Sequence, residues 1–159
     1  MREKTCFFTG HRRILAVDEL KIRLKIKNAV RDLYGMGVKH FISGGATGFD
    51  MTAAEVVAGL KESFPDITLS LYLPCENHTE KWYESDVIRF NELLKAADEV
   101  KYTKKVYDAE CMRLRNQAMV LDSAYAIAWS ENRPGGTSQT LAMAKKMRCA
   151  VRNLAKESW

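Results

Sequence analysis

A chain of 159 residues carrying a net charge of +5 has the length of one ordinary domain. Hydrophobic residues make up 47% and charged ones 28%, with 9 Gly and 3 Pro, which excludes collagenous, low-complexity and largely disordered chains. No apolar run approaches the ~20 residues of a membrane span. The apolar stretch within Met1–Gly10 is too short for a signal-peptide core, so a cytoplasmic location is expected and no membrane partner.

The elements alternate along the chain. Thr5–Thr9 reads as a first strand, and Asp18–Tyr34 as a helix that Asp18 caps and Gly35 and Gly37 end. Val38–Ser43 is a second strand, stopped by Gly44-Gly45 and followed by a helix from about Asp50 to Lys61. Ile67–Leu73 is a strand broken by Pro74, and a helix follows from near Thr79 to Ala97. Glu99–Tyr102 is a weaker strand, Ala109–Leu121 a helix, Ala124–Trp129 a buried strand, Ser138–Met147 a helix and Cys149–Arg152 a last strand. Strands alternating with helices predict an α/β fold: a Rossmann-like three-layer domain over 1–159, its mostly parallel sheet flanked by helices. The apolar Ala124–Trp129 run suits a strand covered on both faces.

Cysteine and histidine add no chemistry to this frame. The 4 Cys (Cys6, Cys75, Cys111, Cys149) are scattered without a C-x-x-C pair and read as buried thiols. The 3 His are equally dispersed, so neither a metal nor a cofactor is expected. The basic residues, as in Lys21–Lys27, are spread as on a solvated face rather than gathered as a nucleic-acid footprint.

In such a sheet, ligands bind beyond the carboxyl ends of the strands. Four segments follow strands there: Thr9-Gly10-His11-Arg12, Ser43-Gly44-Gly45-Ala46-Thr47-Gly48-Phe49-Asp50, Pro74-Cys75-Glu76, and Arg133-Pro134-Gly135-Gly136-Thr137-Ser138. Helix N-terminal amides favour anions, glycine lets a phosphate reach the backbone, and arginine adds charged donors. A nucleotide-like or phosphorylated small molecule is the natural partner. Gly135–Ser138 is the principal phosphate cradle in this reading. Neither glycine loop is a Walker A loop or a strict dinucleotide fingerprint. His11 reads as a ligand contact or a general base, Asp50 as a helix cap or a holder of a ribose hydroxyl, and Trp82 and Tyr83 as core or as base-stacking rings.

Phe7-Phe8-Thr9-Gly10-His11-Arg12, Ser43–Asp50, Arg115-Asn116-x-x-Met119 and Gly135-Gly136-Thr137 together resemble the YpsA branch of the SLOG superfamily, Rossmann-like domains related to DprA and to the LOG phosphoribohydrolases. Ser43-Gly44-x-Ala46-x-Gly48-x-Asp50 is similar to the DprA-type loop. Met112-x-x-Arg115 with Pro134-Gly135-Gly136 is similar to the paired LOG motif. The resemblance implies that Arg115 and Asn116 join the ligand site, and it implies self-association. Two departures bear on chemistry: Thr140 stands where the LOG-type catalytic Glu would align, and Asn116 replaces a basic residue. Threonine neither activates water nor stabilises an oxocarbenium ion. The expectation is therefore a binding or sensing domain for a nucleotide or ADP-ribose-like ligand. Two alternatives stay open: an enzyme on nucleotides or nucleoside phosphates using His11, Asp50 or Glu76, and a DprA-like binder of single-stranded DNA.

Overall fold

The computed structural model describes residues 1–157. Its elements are β1 Thr5–Gly10, α1 Glu19–Gly35, β2 His40–Ser43, α2 Phe49–Leu60, β3 Thr68–Cys75, α3 Glu84–Ala96, β4 Glu99–Lys104, α4 Cys111–Leu121, β5 Tyr125–Trp129, α5 Gly136–Lys146 and β6 Ala150–Asn153. The strands pair in the order β4-β3-β2-β1-β5-β6, every pair parallel. Successive strands from β1 to β4 step in one direction, and β5 then returns to the far side of β1. Between β1 and β5 the strand order reverses, which is where a Rossmann-like sheet opens a crevice.

Burial explains the strand composition. Thr5 through Thr9 are all buried because both faces of β1 are covered, so this strand shows no alternation. Phe8 joins the core built with α1, α2 and α3, with Phe41 at 6.1 Å and Phe49 at 6.4 Å between ring centroids. Phe7 faces the other side and packs with Met119 and Val120 of α4 and Ala144 of α5. Helix α1 buries Ile22, Ile26, Ala29 and Val30, an apolar stripe at helical spacing. Helix α2 buries most of its positions, as an interior helix does. The four cysteines are buried free thiols. No helix among the described residues is long and apolar enough to cross a membrane.

Several element boundaries depart from the sequence reading, most by one or two residues. Strand β3 runs on through Pro74 to Cys75 instead of breaking there. Its partner β2 ends opposite Leu71, so proline sits where the β2 side asks for no ladder hydrogen bond. Helix α3 begins at Glu84, not near Thr79. Residues 79–83 form turns that bring the Trp82 ring onto His78 and Phe90 at 5.2 and 5.6 Å. Helix α5 begins two residues early, at Gly136. Asp18 occupies the cap position of α1, yet its side chain makes no capping bond.

Candidate ligand cleft

The first two loops interlock through glycine. A Cβ on Gly10 would collide with the Phe49 ring, and one on Gly48 (φ 84°) would collide with the Arg12 carbonyl. Only glycine lets these segments approach so closely. The Phe49 amide then donates to the His11 carbonyl at 3.1 Å. Inside the second loop, Ser43 Oγ donates to the Asp50 carbonyl (2.7 Å) and accepts from the Gly45 amide (3.1 Å). This buried brace, rather than a capping bond, places Asp50 in the first turn of α2, with Gly48 at the cap position.

Asp50 is 7% exposed, and its Oδ1 has no hydrogen-bond partner. Burial pushes its carboxyl up to about 6, against the pull of Arg115 and Arg12. Across Gly44 lies Arg115, 3% exposed. Its Nη1 donates to the carbonyls of Gly44 and of Tyr72, the latter at 3.2 Å, and its Nε donates to Asn116 Oδ1 at 2.7 Å. Nη2 faces Met112 Sδ at 4.0 Å. Met112, Arg115 and Asn116 share one side of α4 because they are spaced three and four residues apart.

The fourth loop closes the cleft. His11 Nε2 accepts the Glu131 amide at 3.0 Å, tying the end of β1 to the segment after β5. The ring's own burial, and Arg133 beside it, hold its pKa below the usual histidine value, which suits this neutral acceptor role. Gly135 takes φ 140° ahead of α5, and the Gln139 amide makes the helix's first bond to Gly135 O at 3.0 Å. The amides of Gly136, Thr137 and Ser138 precede that bond and stay open at the positive end of the helix. Neither Thr137 nor Ser138 caps it.

The resulting cleft holds about 270 Å³ between the ends of β1 and β5. It brings together Thr9, Gly10, His11, Arg12, Asp50, Arg115, Asn116, Gly135, Gly136 and Thr137. Gly44 and Pro74 instead line an adjoining chamber of about 120 Å³ with His78, Trp82 and Tyr107. Burial lowers His78 to about 4, so that ring is neutral. Ser43, Gly45 and Gly48 line neither space and act as loop architecture, while Ser138 is exposed outside the cleft. Ala46, Met112, Arg133 and Pro134, which the sequence places in its loops and motifs without marking them as contacts, all line the cleft. Met112 carried a usable signal, standing one helical turn before Arg115.

Among the described residues lining the cleft, Asp50 is the one carboxylate. Glu76 is exposed and outside it, and Thr140 is fully buried, donating to the Gly136 carbonyl at 2.8 Å. A larger groove of about 440 Å³ lies at the opposite end of the sheet, where Thr5, His40, Thr68 and Glu99 begin their strands. No glycine loop reaches it.

Comparison with known proteins follows the same lines. The sequence profile of the YspA SLOG family matches residues 8–153. A UPF0398 protein of Halalkalibacterium halodurans is 32% identical over 128 residues, covering 79% of this chain and 68% of that protein. One from Bacillus thuringiensis is 30% identical, with coverage of 79% and 67%. The chain thus spans about two-thirds of the length of these relatives. Among solved structures, DNA processing protein A of Helicobacter pylori, described for its single-stranded DNA binding mode, aligns with TM-score 0.66 at 17% identity, over 97% of this chain and 67% of that one. DprA of Streptococcus pneumoniae aligns with TM-score 0.66 at 13% identity, over 94% and 49%. At such identities the likeness is one of fold.

Proposed function

The chain belongs to the YspA SLOG family, and on that premise we propose that the cleft between β1 and β5 binds a nucleotide or a nucleotide-derived phosphorylated ligand. The observation that carries the proposal is Asp50: a buried carboxylate with one oxygen unpartnered lines the same cleft as Gly136 and Thr137 at the start of α5. An unpartnered buried acceptor is costly and calls for a donor. Sugar hydroxyls supply such donors, while a phosphate on the Gly136 and Thr137 amides lies at the anion-favouring end of a helix. Arg115 and Arg133 add positive charge, and the chamber beside Trp82 and Tyr107 offers apolar walls to a planar group.

Among the described residues of the cleft lining Asp50 stands as the lone carboxylate, and Thr140 is turned into the fold. This favours binding over glycosidic hydrolysis, which calls on separate acid and base groups. The test is calorimetry and melting-temperature measurement with AMP, ADP-ribose and inorganic phosphate, with chromatography for released base or sugar phosphate. The expected result is saturable binding of a nucleotide, weaker binding of phosphate alone and no product. Absence of binding by every nucleotide would end the proposal, and product formation would move it to the enzymatic alternative.

Single-stranded DNA is the second reading. A shallow groove of about 310 Å³ leads from Arg12 past Arg13 to Tyr83, which is 82% exposed. An exposed ring beside arginines suits base stacking and phosphate contact. The Helicobacter pylori protein of like fold has a described single-stranded DNA binding mode. Oligonucleotide affinity that falls steeply with salt and is lost in Tyr83→Ala would favour this reading. Self-association, which the family resemblance implies, is read by sedimentation of the purified chain.

A further inference from the structure

A second recess lies between α1 and α2, about 430 Å³ in volume and sharing no residue with the cleft. Leu24, Val56, Leu60 and Phe64 supply apolar surface, and Lys27 and Arg31 line the same recess. Three of its features serve nothing inside the fold.

Gly59 stands near the end of α2, where glycine disfavours the helix relative to alanine. A Cβ there would meet nothing within 4 Å, and no positive φ requires glycine. Its missing side chain leaves the groove open. Lys27 and Arg31 are exposed like charges one helical turn apart, an arrangement that weakens a helix. Neither makes an ion pair among the described residues. By contrast, Arg23 beside them is bound to Glu19 and Glu55, and Asp32 to Arg152. Leu24 is 43% exposed on the same face, with Leu20, 71% exposed, one turn earlier. Glu55 is the only carboxylate among the described residues lining the groove, and Arg23 and Arg89 hold it, so the field over Lys27 and Arg31 stays positive.

We propose that this groove docks an acidic amphipathic segment of a partner protein. Its apolar side chains lie over Gly59 against Leu24, Val56 and Phe64, and its Asp and Glu carboxylates meet Lys27 and Arg31. Apolar anchors seated between two helices with charges at the edge follow the helix-in-groove mode of peptide recognition. Charge complementarity selects the acidic sign. The proposal is independent of what the cleft binds.

The test is selection from a random-peptide display library on the immobilised full chain, with phosphatidylglycerol and phosphatidylcholine vesicles as a parallel arm. Selected peptides are expected to interleave Asp and Glu with Leu and Phe. Their affinity should fall about tenfold or more in the double variant Lys27→Glu, Arg31→Glu. The same loss is expected in Gly59→Leu, which fills the groove from a position with free space. Lys145→Glu, on the exposed end of α5, should change nothing. If the double reversal does not fold, Lys27→Gln carries the charge test. Basic or unpatterned selected peptides, acidic peptides indifferent to these variants, or phosphatidylglycerol binding through Lys27 and Arg31 in place of peptide binding would each overturn the proposal.

Discussion

Asp50 and Arg115 converge on Gly44 without forming an ion pair: a methyl group on Gly44 would stand 2.8 Å from Asp50 Oδ2 and 2.7 Å from Arg115 Nη1. The absent side chain is what lets an acid and a base share this corner while the acid keeps an oxygen free. Gly44→Ala is therefore expected to cost about 1–3 kcal/mol of stability, the range for overfilling a packed site. It should also weaken nucleotide binding by displacing both groups. Chemical denaturation and calorimetry on the same variant check this, and an unchanged denaturation midpoint would show that the corner yields freely.

The Asp50 carboxyl gives stability a pH dependence with a definite sign. Folding raises its pKa from 3.8 to about 6, so the ionised form is the one the fold disfavours. Its contribution is best below 3.8 and is lost as pH rises to about 6, a difference of roughly 3 kcal/mol at 1.36 kcal/mol per unit. Asp50→Asn should raise the melting temperature near neutral pH, with the gain shrinking as the solution is acidified through that window. Ligand affinity should move the opposite way, falling in the wild type below about pH 6 and losing this dependence in the variant. Melting curves and titrations across pH read both.

Arg115 serves the fold as well as the cleft. Its buried guanidinium holds carbonyls of the β2–α2 loop and of β3, so Arg115→Ala is expected to lose about 1.5–3 kcal/mol for each charged hydrogen bond left unmade. Arg115→Lys keeps the charge but not the fork, and should retain more stability than affinity. Equal losses of both in the two variants would reduce Arg115 to a structural brace.

The two glycines ahead of α5 should respond differently. A Cβ on Gly136 would meet nothing within 4 Å, and its φ is not positive, so Gly136→Val should leave stability within about 0.5 kcal/mol. The same valine crowds the open amides and should lower nucleotide affinity more than tenfold. Gly135 has equal space, but its φ of 140° is one that a β-branched residue resists, so Gly135→Val should cost about 1–3 kcal/mol. A folded Gly136→Val chain with wild-type affinity would remove the α5 amides from the site.

The order of strands and helices was legible because strands covered on both faces read as apolar runs, as in Ala124–Trp129, and glycines mark where they end. The sequence starts the helix after Pro74 too early because Thr79–Tyr83 has acceptable helical composition, and only packing against Phe90 and His78 turns Trp82 inward. Asp50 could be named from its loop, but its unpartnered oxygen could not. Nor could the sequence show that Arg115 gives its Nη1 donor to carbonyls 71 and 43 residues away in the chain. Likewise His11 suggested a base, whereas the amide it accepts comes from a segment 120 residues later.

Placing β5 beside β1, with Tyr125 opposite Cys6, also sets the order of events during synthesis. Until β5 has emerged, β1 is an open edge, and Phe7 lacks Met119, Ala126 and Ala144 to cover it. Pairing so distant in sequence makes for slow closure and an aggregation-exposed intermediate. One wall of the cleft comes from Thr9–Arg12 and the other from Arg133–Thr137, so during synthesis the first wall waits for more than a hundred further residues before the second can close against it.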